Sequence, residues 1–134
     1  MSLTPHVEIL ADGPVVRLTI NRPETRNALS LQTVTELCDA IGHAGEDPTA
    51  RVIVLTGAGT RAFASGADLN EMADALDTPE SAARYDARFG AVYDALRSTR
   101  LPVIARIQAH AIGGGCLLAA ACDRILRLEA GRLS

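Results

Sequence analysis

The sequence predicts an α/β domain, and three observations carry that reading. Short β-branched runs alternate with longer stretches whose apolar residues recur every three or four positions, the strand–helix order of an α/β fold. One run, "RVIVLTG" from Arg51 to Gly57, is continuously apolar, as strands buried on both faces are. Small-residue turns follow two of the strands, at the position where α/β sheets bind ligands.

The elements follow in order. "HVEIL" and "VVRLTI" flank "ADGP", whose Asp12-Gly13 pair is a hairpin signal. "NRPE" breaks the chain at Pro23. Ser30 is a candidate N-cap for a helix reaching about Ala44, with Leu31, Val34, Leu37, Cys38 and Ile41 on one buried stripe. After "EDP" comes the strand "RVIVLTG", then "AGTRAFASGAD", read as a small-residue loop. A short helix starts near Asp68 with "LNEMADAL". A longer one covers Pro79 to Ser98, with Tyr85, Phe89, Val92 or Tyr93, and Leu96 on its stripe. "LPVIARIQA" returns to strand. The triplet Gly113, Gly114 and Gly115, a small-residue helix "CLLAAAC" and a strand-like "RILRL" complete the order ββ-α-β-α-α-β-α-β. Residues 1–134 read as one domain without repeats.

Composition narrows the function. Hydrophobic residues are 48% and charged residues 22% of the chain, a globular balance. The net charge of −3 comes from mixed signs with no basic patch, so no nucleic-acid partner is expected. Every cation is Arg and Lys is absent, which excludes a Schiff-base lysine and the lysine of a P-loop. "MSLTPHVEILADGP" has no basic-then-apolar leader. No run reaches the roughly eighteen apolar residues of a membrane span. Cys38, Cys116 and Cys122 are odd in number and lack metal spacing. They read as small buried hydrophobes in a reducing cytoplasm, with no metal site.

Two glycine segments stand out: "SGADL", Ser65 to Leu69, and "GGGC", Gly113 to Cys116. Both follow a strand and precede a helix, where backbone N–H groups lack partners. Two such N–H groups converging from separate loops would form an oxyanion hole. The plainer reading is that the glycines permit tight turns and close packing. Gly57-x-Gly59-x-x-Ala62 has the spacing of a dinucleotide fingerprint, but "FASGAD" follows in place of a helix, and "GAGTRAF" reads as a surface turn. Asp68 is read first as a helix N-cap, His110 as structural and Glu71 as a solvated helix face.

At these residues the chain resembles the enoyl-CoA hydratase/isomerase (crotonase) family. "LTINRPETRNALS", "RVIVLTGAGTRAFASGADLNEM" and "LPVIARIQAHAIGGGCLLAAACD" match its motifs in order, over Val7 to Asp123. The resemblance implies a crotonase-like (ClpP/crotonase-type) spiral of ββα units, of which this chain holds the N-terminal portion only, in trimers or hexamers. It implies acyl-CoA thioesters as ligands, with coenzyme A as part of the substrate and no separate cofactor. The N–H groups of Ala67 and Gly114 would form the oxyanion hole and stabilise a thioester enolate. Arg26, Ala28, Ala64, Asp68 and Leu69 would line the coenzyme A path, largely through backbone groups.

The sequence also departs from the family pattern. Hydratases place a glutamate directly after "GGGC"; here that residue is Leu117, which has no proton to exchange. The second family glutamate lies in a segment the chain does not contain. A basic residue common after "ADL" is Asn70 here, with Arg26, Arg61 and Arg84 as possible substitutes. One apolar residue is missing before Arg124, a slip that sends strand side chains to opposite faces. Two readings follow: a thioester enzyme better suited to isomerase-type than to hydration chemistry, or a non-catalytic acyl-CoA-binding or inactive shortened family member.

Overall fold

In the computed structural model, which describes residues 4–129 and 132–133, the first hairpin sets the edge of the sheet. Met1–Leu3, part of the stretch read as lacking a leader, lie outside the described residues. Strands β1 (Val7–Asp12) and β2 (Val15–Ile20) pair antiparallel, with Asp12 opposite Val15. The turn is therefore Gly13-Pro14, one residue later than Asp12-Gly13. Gly13 has φ 57°, and the Pro14 ring forbids a positive φ at the next position. Of the two primed hairpin turns, only the type with glycine first accommodates that pair.

Helix α1 (Leu31–Glu46) starts where Ser30 Oγ accepts from Thr33 N at 3.1 Å. Its buried face is Thr33, Val34, Leu37, Ala40, Ile41 and Ala44. Strand β3 (Val52–Gly57), β4 (Ala62–Ala64) and helix α2 (Leu69–Ala75) follow. Helix α3 (Pro79–Ser98) opens on a reciprocal cap between Thr78 and Ser81 with Pro79 in its first turn, a position that needs no N–H. Tyr85, Val92 and Leu96 are its buried residues. Then come β5 (Val103–Ile107), β6 (His110–Ala111), helix α4 (Gly114–Ala120), β7 (Arg124–Glu129) and β8 (Arg132–Leu133).

The main sheet runs β1-β2-β3-β5-β7-β8. Neighbours from β2 through β7 are parallel, and the outer pairs are antiparallel. Its register aligns Leu18, Leu55, Ala105 and Ile125 in one row. The first three are fully buried, in one cluster with α1 and α3, whereas Ile125 is 52% exposed. The packed core thus ends at β5.

Two sequence expectations change here. The β3 run is not buried on both faces: Ile53 and Leu55 are fully buried, but Val52 and Val54 on the other face are half exposed. An unbroken apolar run does not show how much cover each face receives. The stretch read as a loop and surface turn contains β4, whose Ala62, Phe63 and Ala64 are all buried. A three-residue strand is too short to show alternation; long-range pairing with β6 creates it. No described helix is long and apolar enough to cross a membrane.

Candidate functional site

The β4–β6 pair brings the two glycine segments together. Ala62 lies opposite His110 and Ala64 opposite Ala111. Ile112 N donates to Ala64 O at 3.1 Å, and Gly115 N donates to Ile112 O at 2.9 Å. Gly66 and Gly114 then meet across the gap. A Cβ built on Gly66 would lie 3.4 Å from Gly114 N, and one built on Gly114 would lie 3.7 Å from Ala67 N.

The pattern around Leu29 decides which N–H groups stay free. Leu29 N donates to Gly66 O at 2.8 Å, and Leu29 O accepts from Asp68 N at 3.2 Å. This short parallel bridge uses the groups on either side of Ala67, and the Ala67 N–H points the other way. Neither the Ala67 N–H nor the Gly114 N–H donates to another described residue. Gly114 opens α4, where the first N–H groups have no helical acceptor.

The three consecutive glycines do different work. Gly113 has φ 56° and ψ −121°, a conformation closed to residues with a Cβ, and it turns the chain into α4. A Cβ on Gly115 would overlap the Ala64 carbonyl and lie 2.9 Å from Ala64 Cβ, so glycine lets α4 rest directly on β4. Gly114 carries the free N–H between them.

A second layer braces this arrangement. Arg26 and Asn27 both have positive φ, 56° and 57°. Asn27 is fully buried. Its Oδ1 accepts from Arg22 N at 2.8 Å, and its Nδ2 donates to Ala58 O at 2.9 Å and Ala62 O at 2.8 Å. The Asn27 amide therefore ties the turn before α1 to the approach to β4. Arg22 Nη1 donates to Ala28 O at 2.9 Å, and its Nη2 lies 3.6 Å from Asp68 Oδ2. Asp68 Oδ1 accepts from Asn70 N and Glu71 N, the expected N-cap of α2. Glu71 departs from the solvated-face expectation: it is half-buried, and its Oε2 accepts from Leu31 N at 2.8 Å.

Among the residues assigned to the coenzyme A path, Arg26 and Leu69 are exposed, Asp68 is half-buried, and Ala28 and Ala64 are buried. The Ala64 carbonyl is engaged by Ile112 N. Leu117 is 60% exposed and lines a cleft of ≈ 290 Å³ with Tyr93, Arg97, Ala120 and Ala121. Arg61 and Arg84 are exposed, as is His110, whose backbone pairs in β6. The expectation that the cysteines are buried is corrected: Cys116 is exposed, and Cys38 and Cys122 are only half-buried. Burial, with Asp123 nearby, pushes the Cys122 thiol up to about 12.

Asn27 was not singled out from the sequence. Its position in a proline-broken turn is a weak sign of left-handed backbone, and nothing local indicates burial.

The family model described as enoyl-CoA hydratase/isomerase matches residues 11–131. The chain belongs to the enoyl-CoA hydratase/isomerase family. It is 38% identical over 112 residues to a short-chain-enoyl-CoA hydratase of Clostridium acetobutylicum, covering 84% of this chain and 42% of that protein. The solved enoyl-CoA hydratase/carnithine racemase of Magnetospirillum magneticum superposes with a TM-score of 0.88 at 35% identity, over 92% of this chain and 46% of that one. A putative enoyl-CoA hydratase/isomerase (crotonase) structure from Legionella pneumophila gives 0.87 at 34% identity, over 94% and 48%. The crotonase fold expected from the sequence is thus present, as its N-terminal portion. The chain spans about half the length of the relatives it matches.

Proposed function

We propose that this enoyl-CoA hydratase/isomerase family chain binds an acyl-CoA thioester, with the Ala67 and Gly114 N–H groups forming an oxyanion hole on the thioester carbonyl. The observation that carries this reading is the close approach of two backbone N–H groups from separate loops, neither with an acceptor among the described residues. Donors held in place before charge develops favour the enolate over the ground-state carbonyl. Two relatives are named for enoyl-CoA and crotonyl-CoA hydration, which supports a thioester ligand. Coenzyme A enters as part of the substrate, along Arg26, Ala28, Ala64, Asp68 and Leu69, with no separate cofactor. The chain works as a homo-oligomer in the cytoplasm. Leu117 offers no proton, so the reading covers enolate stabilisation and not hydration driven by an acid at that position.

Calorimetric titration with acetoacetyl-CoA and with free coenzyme A tests the proposal. The keto-thioester resembles the enolate and is expected to bind more tightly. Gly114→Pro removes one donor at a position where a helix tolerates proline. It is expected to weaken acetoacetyl-CoA binding by about tenfold or more. Equal binding of the two ligands by the unaltered chain would overturn the proposal.

A further inference from the structure

Helix α3 carries Tyr85, Phe89 and Tyr93 at successive four-residue steps, and the last of them reaches the oxyanion segments. The position that a Cβ on Gly114 would occupy lies 3.6 Å from Tyr93 Oη, 3.7 Å from Ala67 N and 3.5 Å from Gly66 Cα. The phenol oxygen and Ala67 N therefore border the same small space beside Gly114. Among the described residues its hydrogen-bond contact is to Gly114 O at 3.5 Å. That is well beyond the usual hydroxyl–oxygen distance of about 2.7–2.8 Å, so the proton is available to a better acceptor. The same side chain lines the cleft beside Leu117, where Tyr93 and Arg97 supply the polar groups among the lining residues.

We propose that the Tyr93 hydroxyl is a third donor at this site, hydrogen-bonding the bound thioester where Leu117 supplies no protic group. This rests on the thioester reading above and deepens it. Burial raises the phenol above its ordinary value of 10.0, which keeps it protonated at neutral pH and makes it a donor, not a base. The ring packs against the core, so Tyr93→Phe removes the hydroxyl while retaining the packing.

The test compares the full chain with its Tyr93→Phe variant, using acetoacetyl-CoA and free coenzyme A as probes. Loss of the donor is expected to weaken acetoacetyl-CoA about five- to tenfold and leave free coenzyme A unchanged. The enolate absorbance of bound acetoacetyl-CoA is expected to titrate about half a pH unit or more higher in the variant, a shift that a merely structural role would not produce. Equal affinity and an equal enolate midpoint in both chains would overturn the Tyr93 proposal and leave the hole intact. If the unaltered chain does not prefer acetoacetyl-CoA, the thioester reading falls, and the Tyr93 proposal falls with it.

Discussion

At Gly115 a single hydrogen atom separates a working contact from a collision. A methyl group there would meet the carbonyl of Ala64, which is backbone and already engaged by Ile112 N. Because the obstacle cannot rotate away, α4 must tilt off β4. Gly115→Ala is therefore expected to cost about 1–3 kcal/mol, read as a lower denaturation midpoint, together with weaker acetoacetyl-CoA binding as Gly114 moves. An unchanged midpoint would show that α4 does not rest on β4 as described. The glycine triplet was legible as a candidate site in the sequence, but the division of labour among its members was not. Positive φ at Gly113 and the steric limit at Gly115 are both consequences of where β4 lies. Asn27 shows the same limit: a polar residue in a turn gives no local sign of complete burial, which follows from the carbonyls of Ala58 and Ala62 converging on it.

Helices α1 and α3 followed from their apolar stripes, and α1 also from its Ser30 cap, since a period of 3.6 repeats over several turns; the Thr78–Ser81 cap of α3 was seen only in the structure. Strands β4 and β6, of three and two residues, are too short to repeat the strand period of two and exist only as partners. The start of α1 also carries a pH dependence. His6 Nδ1 lies 2.8 Å from Ser30 Oγ and 3.0 Å from Thr33 Oγ1, and Arg22, Glu24, Glu36 and Glu71 act on the ring. Burial, then Arg22, lower the His6 pKa from 6.5 in spite of the glutamates. The folded chain thus binds this proton more weakly than the unfolded chain. The stability contributed is fully present above 6.5 and is lost as pH falls through the lowered value. Between about pH 7.5 and about pH 5.5, the melting temperature should fall further for the unaltered chain than for His6→Gln. Parallel curves would assign the effect to other groups.

Over the described residues, exposed large apolar side chains lie on β1 (Ile9, Leu10), at α2 (Leu69, Leu76), at α4 (Ile112, Leu117) and on β7 (Ile125, Leu126), and the row leading to Ile125 is buried only as far as Ala105. The uncovered end of the buried row at Ile125 favours association. The homo-oligomer proposed above is accordingly expected in sedimentation velocity as a concentration-dependent increase in mass, reduced by Ile125→Glu. A monomer at every concentration would remove that part of the proposal. The order of the longer strands and helices, the family and the two bare backbone segments were determined by the sequence alone, because periodicity, caps and glycine motifs are local or ordered along the chain; the short strands β4, β6 and β8 were not. Tertiary structure alone decided that β4 pairs with β6, that Gly66 and Gly114 approach each other with no acceptor for the Ala67 or Gly114 N–H among the described residues, and that Tyr93 lies beside Gly114. Each depends on segments brought together across dozens of residues, and no local pattern records which backbone group will be left without a partner.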